Sequence, residues 1–457
     1  MFEVYGKRVV VMGGARSGAA AALLLRDRGA AVTLTDVRPD IPDADRLRAE
    51  GVELELGYHD TRTLRSADLI VTSPGVPWHL PILEDARGTG VETIGDVELA
   101  ARWLRGRIIA ITGTKGKSTT TTLVGRMLQE AGIDVGVGGN IGTALALQVP
   151  ASTPESIHVV EVSSFQLEAT DTFHPWIAAV LNFSPDHLDR HANVEEYAAA
   201  KRRIFANQDA DDWTVVNRDD EPALALARGS RARRAWFGLD TRPEEGVTVI
   251  GDSVSYVTST SRVALVPLAA VRLIGRHLLA DVVAAAAIAR LAGAGAAAME
   301  RAVQGFRGLE HAMELVGEHR GVRFVNDSKA TNVDSTRHAI ESFERGLVPI
   351  IGGRFKGGDL RDLREPLRGR ARAVVAIGEA RDRVRDALAD AVDVHPADSM
   401  REAVERAFEL ASPDGTVLLA PACSSFDMFA DYAERGRAFK QEVGRIAGAA
   451  GDAAREQ

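Results

Sequence analysis

Two hydrophobic patterns alternate along the chain. Short runs of β-branched and other apolar residues, such as residues 8–12 and 108–112, are typical of buried strands. After a short polar stretch, each run is followed by a segment whose apolar residues recur at helical spacing, as in residues 118–131. This alternation predicts an α/β fold with parallel sheets and right-handed crossover helices.

Three such α/β units follow one another along the sequence. The first begins at Arg8, the second at Ile108 and the third near Val322. Residues 213–271 differ, because they consist of short strand-like runs and turns, and an alanine-rich helix follows from about 277 to 291. In parallel sheets the loops after the strands form the ligand sites, so we expect the chemistry in those loops.

The second unit opens with a phosphate-binding pattern that leads from a strand into a helix. Its residues are Gly113, Thr114, Lys115, Gly116, Lys117, Ser118 and Thr119. Lys117 would reach the outer phosphates, and the hydroxyl of Ser118 or Thr119 would hold Mg²⁺. The longer form of the motif has a glycine where this chain has Ile111. An ordinary glycine turn is the alternative, but strand, glycines, lysine, hydroxyls and helix in this order favour a phosphate loop.

The first unit carries another glycine turn. Residues 13–18 follow the first strand and Asp36 ends the next, as in a dinucleotide-binding fingerprint. Ala15 replaces the middle glycine, so we favour a nucleotide-like ligand held in another way over NAD. A later strand, residues 69–72, ends at the turn 73–75, which is either a ligand loop at a strand end or a simple proline turn.

Further loops of the second unit carry polar chemistry. The glycine-rich loop 138–142 could bring the backbone close to a ligand. Glu161 lies near a strand end, where a carboxylate beside a phosphate loop can hold Mg²⁺, although a solvated glutamate is the alternative. Residues 184–191 crowd acids, two histidines and an arginine into one loop. Lys201 shares a helix face with Tyr197 and is either functional or a snorkelling lysine.

Composition and charge narrow the function classes. The chain has 457 residues and a net charge of −9, so general nucleic-acid binding, which needs a basic surface, is not expected. Cys423 is the only cysteine, which excludes an intramolecular disulfide and suits a reducing compartment. No signal-peptide pattern precedes the first strand, and Arg290 interrupts the alanine-rich stretch before it could span a bilayer. We therefore expect a cytoplasmic protein without membrane insertion.

Four stretches together resemble the Mur ligases, the ATP-dependent amino-acid-adding enzymes of peptidoglycan synthesis. They are residues 113–119, 161–167, 186–190 and 197–201. The resemblance covers essentially the whole chain. In the third unit, residues 326–332 and 421–425 are similar to the D-glutamate-adding branch of the family, and the Asp-Asn-Pro-Arg motif of the diaminopimelate- or lysine-adding branch is absent.

The resemblance implies three domains. They are a Rossmann-like N-terminal domain for the UDP substrate (residues 1–97), a central P-loop ATPase-like domain with a parallel sheet (residues 98–307), and a Rossmann-like C-terminal domain for the amino acid (residues 308–457). The reaction it implies is the addition of D-glutamate to UDP-N-acetylmuramoyl-L-alanine through an acyl-phosphate. The protein is expected to be a monomer that uses ATP and two Mg²⁺ ions.

The resemblance also assigns site residues. Those for the UDP substrate are Ser17, Asp36, Arg38, Ser73, Gly75 and Asn140. Those for ATP are residues 113–119 with Asp281 and Asp327. Those for Mg²⁺ are Ser118 and Glu161 for one ion and His187 and Lys201 for the other, with Lys201 carbamylated by CO₂. Those for D-glutamate are Thr331, Lys356, Ser425 and Tyr432. The catalytic set comprises Lys117, Glu161, His187, Lys201 and Lys329.

The chain departs from the family pattern near the ATP site. Leu278 and Asp281 stand where the family has asparagines, and Ala312 stands where it has an arginine. Asp281 can still accept a hydrogen bond from adenine, whereas Ala312 cannot bind a phosphate as a cation does. Two alternatives follow: another ligase of the superfamily, such as folylpolyglutamate synthase, or a degenerate nucleotide-binding paralogue. Folylpolyglutamate synthase would not require residues 73–75 or 327–332. Only the altered positions 278, 281 and 312 favour a degenerate paralogue.

Overall fold

The computed structural model describes residues 2–188, 190–241 and 244–453, and side chains up to residue 448. The chain divides into two compact units, one of residues 1–270 with 280–304, the other of residues 271–279 with 305–457. The first unit holds two β-sheets and the second holds one. This confirms the α/β class with three sheet domains, while the boundaries after residues 97 and 307 stay predictions.

Five parallel strands form the N-terminal sheet. They are β1 (Arg8–Met12), β2 (Ala31–Asp36), β3 (Glu53–Leu56), β4 (Leu69–Thr72) and β5 (Glu92–Gly95), in the spatial order β3-β2-β1-β4-β5. The helices are α1 (Arg16–Asp27), α2 (Ala44–Ala49), α3 (Thr61–Arg65), α4 (Pro81–Gly88) and α5 (Asp96–Ala101). The strand order reverses between β1 and β4, and open α/β sheets bind ligands at the carboxyl ends of such strands.

Nine strands form the central sheet. They are β6 (Arg107–Thr112), β7 (Val135–Gly139), β8 (Ile157–Glu161), β9 (Ile177–Val180), β10 (Trp213–Asn217), β11 (Arg233–Phe237), β12 (Gly246–Ile250), β13 (Ser253–Val257) and β14 (Arg262–Pro267), in the order β14-β13-β12-β11-β10-β9-β6-β8-β7. The pairs from β7 to β12 are parallel, as predicted. Beyond β12, the strands β13 and β14 extend the sheet with antiparallel pairs, within the stretch of predicted short strands and turns.

The described residues between 107 and 304 include six α-helices. They are α6 (Lys117–Glu130), α7 (Ser164–Glu168), α8 (Val194–Arg202), α9 (Glu221–Ala227), α10 (Arg276–Leu291) and α11 (Ala296–Gln304). Helix α6 begins one residue earlier than the hydrophobic pattern predicted. Its apolar face buries Leu123, Val124, Met127 and Leu128, so the spacing that predicted the helix also identifies its packed side.

Six strands form the C-terminal sheet. They are β15 (Glu314–His319), β16 (Val322–Asn326), β17 (Leu347–Gly352), β18 (Val374–Ile377), β19 (Val394–Ala397) and β20 (Thr416–Leu419), in the order β15-β16-β20-β17-β18-β19. The helices are α12 (Val333–Glu341), α13 (Arg364–Leu367), α14 (Arg381–Leu388), α15 (Met400–Ala411) and α16 (Tyr432–Ala453). All neighbouring strands run parallel except the edge pair of β15 and β16. Parallel β16, β20 and β17 therefore bring their carboxyl ends together.

Inner strands of all three sheets, such as β1, β6 and β20, are mostly apolar and buried. Val11, Ile109 and Leu418, one from each sheet, have no measurable exposure, as expected for parallel strands covered on both faces by helices. In the described part of the chain, no helix combines the length and the apolar character that crossing a bilayer requires.

Candidate active site

The segment 113–119 forms a tight loop between β6 and α6. Gly116 is the N-cap of α6 and has a φ of +79°, a conformation that favours glycine. The amine of Lys117 donates hydrogen bonds to the carbonyls of Gly113 and Thr114, each at 3.0 Å. A lysine ammonium thus lies over a glycine loop at a helix N-terminus, which is the arrangement expected of a phosphate site.

Asn182, two residues beyond β9, fixes the start of this loop. Its side-chain oxygen accepts hydrogen bonds from the backbone N–H groups of Thr114 at 3.0 Å and Lys115 at 2.8 Å. Its side-chain nitrogen donates to the carbonyl of Lys115 at 3.1 Å. Because these N–H groups are already used, the first turn of α6 is the part of the loop left to face a phosphate. Asn182 was not identified from the sequence as part of the site.

Asp281 lies against the same loop. A Cβ atom on Gly116 would be 2.1 Å from Oδ1 of Asp281, so a side chain does not fit there. Burial raises the pKa of the Asp281 carboxyl well above its usual value, although Thr120 and Lys117 act in the opposite direction. The structure therefore places Asp281 at the phosphate loop, while its contact with adenine stays a prediction.

Glu161 ends β8, the strand beside β6. Its side chain is 1% exposed, and Oε1 accepts a hydrogen bond from Nδ2 of Asn140 at 2.8 Å. Within the described residues, Oε2 is buried and has no hydrogen-bond partner. An unpaired buried carboxylate oxygen is costly, and Mg²⁺ prefers oxygen ligands of this kind. Glu161 therefore fits the metal-ligand role that its position predicted.

Lys201 on α8 reaches the phosphate loop from the other side. It is 1% exposed, and its amine donates to the carbonyl of Gly113 at 2.8 Å. The same amine lies 4.7 Å from the centre of the Tyr197 ring. Burial lowers the pKa of Lys201 well below its usual value, and the neighbouring charge of Lys117 lowers it further. Two lysines thus share one carbonyl, which favours a neutral amine on the more buried one.

The loop that follows β9 contributes His187. This residue has a φ of +55°, is exposed, and its ring lies edge-on to Phe165 at 5.0 Å and to Tyr197 at 6.1 Å between centroids. His191, the second histidine of the loop, is buried instead, and its Nε2 pairs with the Ser164 hydroxyl at 2.9 Å. The structure therefore separates an exposed histidine from an anchoring one. Asp189, in the same sequence motif, lies outside the described residues.

Ser118 completes the predicted metal set. It is half-buried in the first turn of α6, next to Lys117. The four predicted residues thus come from the start of α6, the end of β8, the loop after β9 and the helix α8. The contact of Lys201 with Gly113 places it at the phosphate loop, and Glu161 ends the strand that pairs with β6, while a shared metal ion stays a prediction.

A cavity of about 490 Å³ lies at the carboxyl ends of β1, β2 and β4. The predicted UDP-site residues all line it: Ser17, Asp36, Arg38, Ser73, Gly75 and Asn140. His59 and Gln166 also line it and were not identified from the sequence. Since Asn140 and Gln166 belong to the central sheet region, the cavity is built from both sheets of the first unit. Gln166 lies in the 161–167 stretch that carries the family resemblance but was assigned no role, and His59 lies in no recognisable motif.

Asp36 at the end of β2 holds the first glycine turn. Its Oδ2 accepts hydrogen bonds from the Gly14 N–H and from Nη2 of Arg38, both at 2.7 Å. The Arg38 guanidinium is the main reason that the pKa of the Asp36 carboxyl lies below its ordinary value. The carboxylate is thus engaged within the protein, unlike an acid free to bind the ribose of NAD. This agrees with the preference for another nucleotide-like ligand.

The ends of β1 and β4 are joined beside this turn. The Ser73 hydroxyl donates to the carbonyl of Gly13 at 3.0 Å. A Cβ atom on Gly18 would lie only 1.8 Å from the same carbonyl oxygen, so α1 approaches the turn as closely as glycine allows. The glycine turn, the N-terminus of α1 and the turn 73–75 therefore form one wall of the cavity.

In the second unit, the predicted amino-acid residues lie at the ends of three adjacent strands. Thr331 follows β16, Lys356 follows β17, Ser425 follows β20 and Tyr432 begins α16. Backbone hydrogen bonds connect these loops, from Ala422 to Ala330 at 3.0 Å and from Arg354 to Ser424 at 2.9 Å. The structure brings the loops of these residues together, while the role of each residue stays a prediction.

Arg435 ties these loops to α16 and was not identified from the sequence. It is 2% exposed and donates to the hydroxyl and the carbonyl of Ser328 at 2.9 and 2.8 Å, and to the carbonyl of Cys423 at 3.1 Å. The Ser328 hydroxyl in turn donates to the carbonyl of Tyr432 at 2.7 Å. Burial lowers the pKa of the Arg435 guanidinium to about 10.

Asp327 lies at the start of the loop after β16. Its Oδ1 accepts a hydrogen bond from the backbone N–H of Met313 at 3.2 Å, and burial raises the pKa of its carboxyl to about 7. Lys329, two residues later, is exposed. A buried acid and an exposed lysine thus share one loop, and their predicted roles in catalysis and ATP binding stay predictions.

Comparison with known proteins decides the family. Three family models match the chain: the Mur ligase MurD-like N-terminal domain over residues 7–95, the Mur ligase middle domain over residues 111–289, and the Mur ligase glutamate ligase domain over residues 312–423. A protein of Acidobacterium capsulatum named UDP-N-acetylmuramoylalanine--D-glutamate ligase is 46% identical, over 98% of both chains. The chain belongs to the Mur ligase family. The protein of the same name from Koribacter versatilis is 42% identical, over 97% of this chain and 99% of that protein.

Solved structures show the same fold at low sequence identity. UDP-N-acetylmuramate-alanine ligase MurC of Thermotoga maritima aligns with a TM-score of 0.60 and 18% identity, covering 96% of this chain and all of that one. A pseudomurein peptide ligase type C of Methanothermus fervidus gives 0.59 and 17%, with the same coverage. The Mur ligase fold therefore extends over nearly the whole chain.

The departures from the Mur ligase pattern lie in ordered parts of the structure. Ala312 is half-buried in a tight turn, where its N–H donates to the carbonyl of Leu309 at 3.0 Å. The preceding His311 is buried, with Nδ1 at 2.9 Å from the side-chain nitrogen of Asn326. The turn is thus built around the histidine, and an alanine occupies the place of the family's arginine.

Proposed function

We propose that this Mur ligase joins D-glutamate to UDP-N-acetylmuramoyl-L-alanine at the expense of ATP. The carboxylate of the sugar nucleotide attacks the γ-phosphate of ATP, which gives an acyl-phosphate and releases ADP. The amine of D-glutamate then attacks the acyl carbon, and phosphate leaves. The observation that carries this proposal is the identity of 41–46% to relatives of that name over nearly the full length of both chains.

The cavity of the first unit supports the sugar-nucleotide side of the proposal. The N-terminus of α1 and the turn 73–75 would hold the diphosphate, since such N–H groups bind anions. Asn140 and Gln166 would contact the sugar from the central sheet. Because Asn140 also donates to Glu161, it connects the sugar-nucleotide cavity to the region proposed for the metal and ATP.

The phosphate loop supports the ATP side. Lys117 would move from its carbonyl partners to the outer phosphates, where a point charge offsets the repulsion between two approaching anions. Asp281 would accept a hydrogen bond from adenine. Glu161 and Ser118 would hold one Mg²⁺ ion, and His187 and Lys201 a second. Bound Mg²⁺ would neutralise the charge that develops on the transferred phosphoryl group.

Lys201 would carry out this role as a carbamate. An ammonium would repel a metal ion, whereas the reaction of a neutral amine with CO₂ gives an anionic oxygen ligand. The lowered pKa of Lys201 favours the neutral amine that the reaction needs. The alternative is a cationic Lys201 that contacts phosphate directly.

The loops of the second unit would select and position D-glutamate. Lys356 offers a charge to a carboxylate, while Thr331, Ser425 and Tyr432 offer hydroxyl groups. Lys329 would act near the acyl-phosphate and Asp327 near ATP. The cytoplasmic location and the monomeric state stay predictions.

The test is product formation by the purified full chain. With ATP, Mg²⁺, UDP-N-acetylmuramoyl-L-alanine and D-glutamate, we expect a product heavier by one glutamyl residue and one phosphate released per product. L-glutamate in place of D-glutamate should give little product. Absence of product under these conditions would contradict the proposal, and glutamylation of a folate instead would favour folylpolyglutamate synthase.

A further inference from the structure

The nucleoside end of the cavity can be located by elimination, given the proposed function. The diphosphate belongs at the glycine turn and at the N-terminus of α1. Asn140 and Gln166 line the side toward the central sheet, where the sugar that carries the reacting carboxylate must lie. Of the lining that remains, residues 36–38 lie at the end of β2, and His59 lies beside them through its contact with Thr35. The nucleobase therefore belongs at this end.

His59 is held there by Thr35, the buried neighbour of Asp36. Nδ1 of His59 lies 2.8 Å from the Thr35 hydroxyl oxygen, and the same oxygen lies 3.0 Å from the carbonyl oxygen of Tyr58. Thr35 has no measurable exposure, so water does not compete for its hydroxyl. The imidazole is thus fixed through one of its two nitrogens.

The hydroxyl has a single proton, and this determines where the proton of His59 lies. The Tyr58 carbonyl can only accept, so the Thr35 hydroxyl must donate to it. The hydroxyl oxygen can then only accept from His59, so Nδ1 carries the imidazole proton. Nε2, on the other side of the ring from Thr35, is left with a lone pair. Burial lowers the pKa of His59 and outweighs the charges of Asp36 and Glu55, which keeps the ring neutral.

We infer that Nε2 of His59 accepts a hydrogen bond from N3–H of the uracil base and so selects uridine nucleotides. Uracil presents a donor at N3, whereas cytosine presents a lone pair at the same position. A neutral imidazole whose lone pair faces the base can accept a hydrogen bond from N3–H of uracil. The same lone pair is repelled by the lone pair at N3 of cytosine. Thr35 is a positioning residue, because it fixes the tautomer without touching the base.

The probes for a test are UDP, CDP and 3-methyluridine diphosphate, titrated calorimetrically into the full chain at pH 7.5. The methyl group removes the N3–H donor and leaves the rest of the base unchanged. We expect the wild type to bind UDP about tenfold or more tightly than the methylated analogue, as a site built around a hydrogen bond rejects a ligand that lacks it. In His59→Ala the difference should fall to about twofold, and the preference over CDP should shrink as well.

The role of Thr35 is tested with a matched pair of variants. Thr35→Ser keeps the hydroxyl and should keep the preference for UDP over the methylated analogue. Thr35→Val removes the hydroxyl, frees the tautomer and should reduce the preference severalfold, while thermal melting checks that both variants fold. If His59→Ala does not fold, the two Thr35 variants still test whether the tautomer of His59 sets the preference for UDP.

The two proposals fail in distinguishable ways. If His59→Ala binds UDP and still prefers it about tenfold over the methylated analogue, another group reads N3 and this inference is wrong while the proposed function stands. An equal preference in Thr35→Val and Thr35→Ser would overturn the tautomer assignment. If the wild type does not bind UDP, and UDP does not compete with UDP-N-acetylmuramoyl-L-alanine, the proposed use of the cavity fails together with this inference.

Discussion

The first unit contains two glycine turns with the same backbone plan and opposite chemistry. Both connect a central parallel strand to a helix, at residues 13–18 and at residues 113–119. The first turn is held by a carboxylate, since Asp36 accepts a hydrogen bond from the Gly14 N–H. The second lies beneath two amines, since Lys117 and Lys201 both donate to the carbonyl of Gly113.

A glycine turn at a strand end thus provides N–H groups but does not by itself select the ligand. Beside the first turn, the arginine partner of Asp36 lowers the pKa of that carboxyl. Beside the second, burial raises the pKa of Asp281. The side chains that surround each turn therefore set its charge, and the proposed function assigns the sugar nucleotide to the first turn and the phosphates of ATP to the second.

The largest expected effect comes from removing a cation at the second turn. Lys117→Ala should reduce turnover by about a thousandfold, because the charge that offsets repulsion between the two anions is lost. The measurement is phosphate release with all three substrates. Lys7→Ala removes an exposed lysine of the N-terminal sheet region and should leave turnover unchanged. Normal turnover in Lys117→Ala would contradict the assignment of residues 113–119 as the ATP phosphate loop.

Lys201, the second amine at this turn, differs from Lys117 because its proposed form is an anion. Lys201→Ala should lose activity by about a hundredfold or more. If Lys201 acts as a carbamate, short-chain carboxylates added to the assay should restore part of the activity, and small amines should not. Rescue by amines alone would identify Lys201 as a phosphate-binding cation.

A smaller effect is expected at the first turn. Asp36→Asn keeps the size of the side chain but weakens its charged hydrogen bonds, so the KM for the UDP substrate should rise about tenfold. The KM for ATP should not change. Because the folded-state pKa of Asp36 lies below its unfolded value, its contribution to stability is present above the unfolded pKa and is lost as the pH falls through the folded pKa. A rise in both KM values would show that the two turns are not independent.

Asp281 at the second turn should show the opposite dependence, with the smallest effect. Its raised folded-state pKa means that the folded protein binds the proton more tightly, so stability falls as the pH rises from the unfolded pKa through the folded one. Asp281→Asn removes this penalty. Its Tm should exceed that of the wild type by a few degrees more at pH 8 than at pH 5. An equal difference at the two values would mean that Asp281 is already ionised when the chain is folded.

Much of this arrangement could be predicted from the sequence, because the signals are local. The alternation of apolar strands and helical spacing predicted β1, β4, β6 and α6 to within one residue. The glycines of both turns and Lys117 lie next to those elements in the sequence. For the same reason, the residues predicted for the UDP substrate after β1, β2 and β4 line the cavity once these strands are neighbours, whereas Asn140 reaches it from the central sheet.

The remaining residues could not be predicted, because their partners are distant in sequence. Asn182 fixes Lys115 across 67 positions, and Arg435 reaches Ser328 across 107. His59 is separated from Thr35 by 24 positions and carries no motif. The antiparallel strand β15 was also not predicted. For Asn182, Arg435 and His59, the sequence shows a polar residue, and only the packed structure shows what it contacts.

The most direct test of the central claim is calorimetric titration of both nucleotides into two variants. Lys117→Ala should bind UDP-N-acetylmuramoyl-L-alanine as the wild type does and lose most of its affinity for ATP with Mg²⁺. Asp36→Asn should show the reverse, with weaker binding of the sugar nucleotide and unchanged binding of ATP. The assignment of one ligand to each turn would be contradicted if either variant weakened the binding of both ligands equally. It would also be contradicted if Lys117→Ala weakened only sugar-nucleotide binding or Asp36→Asn weakened only ATP binding.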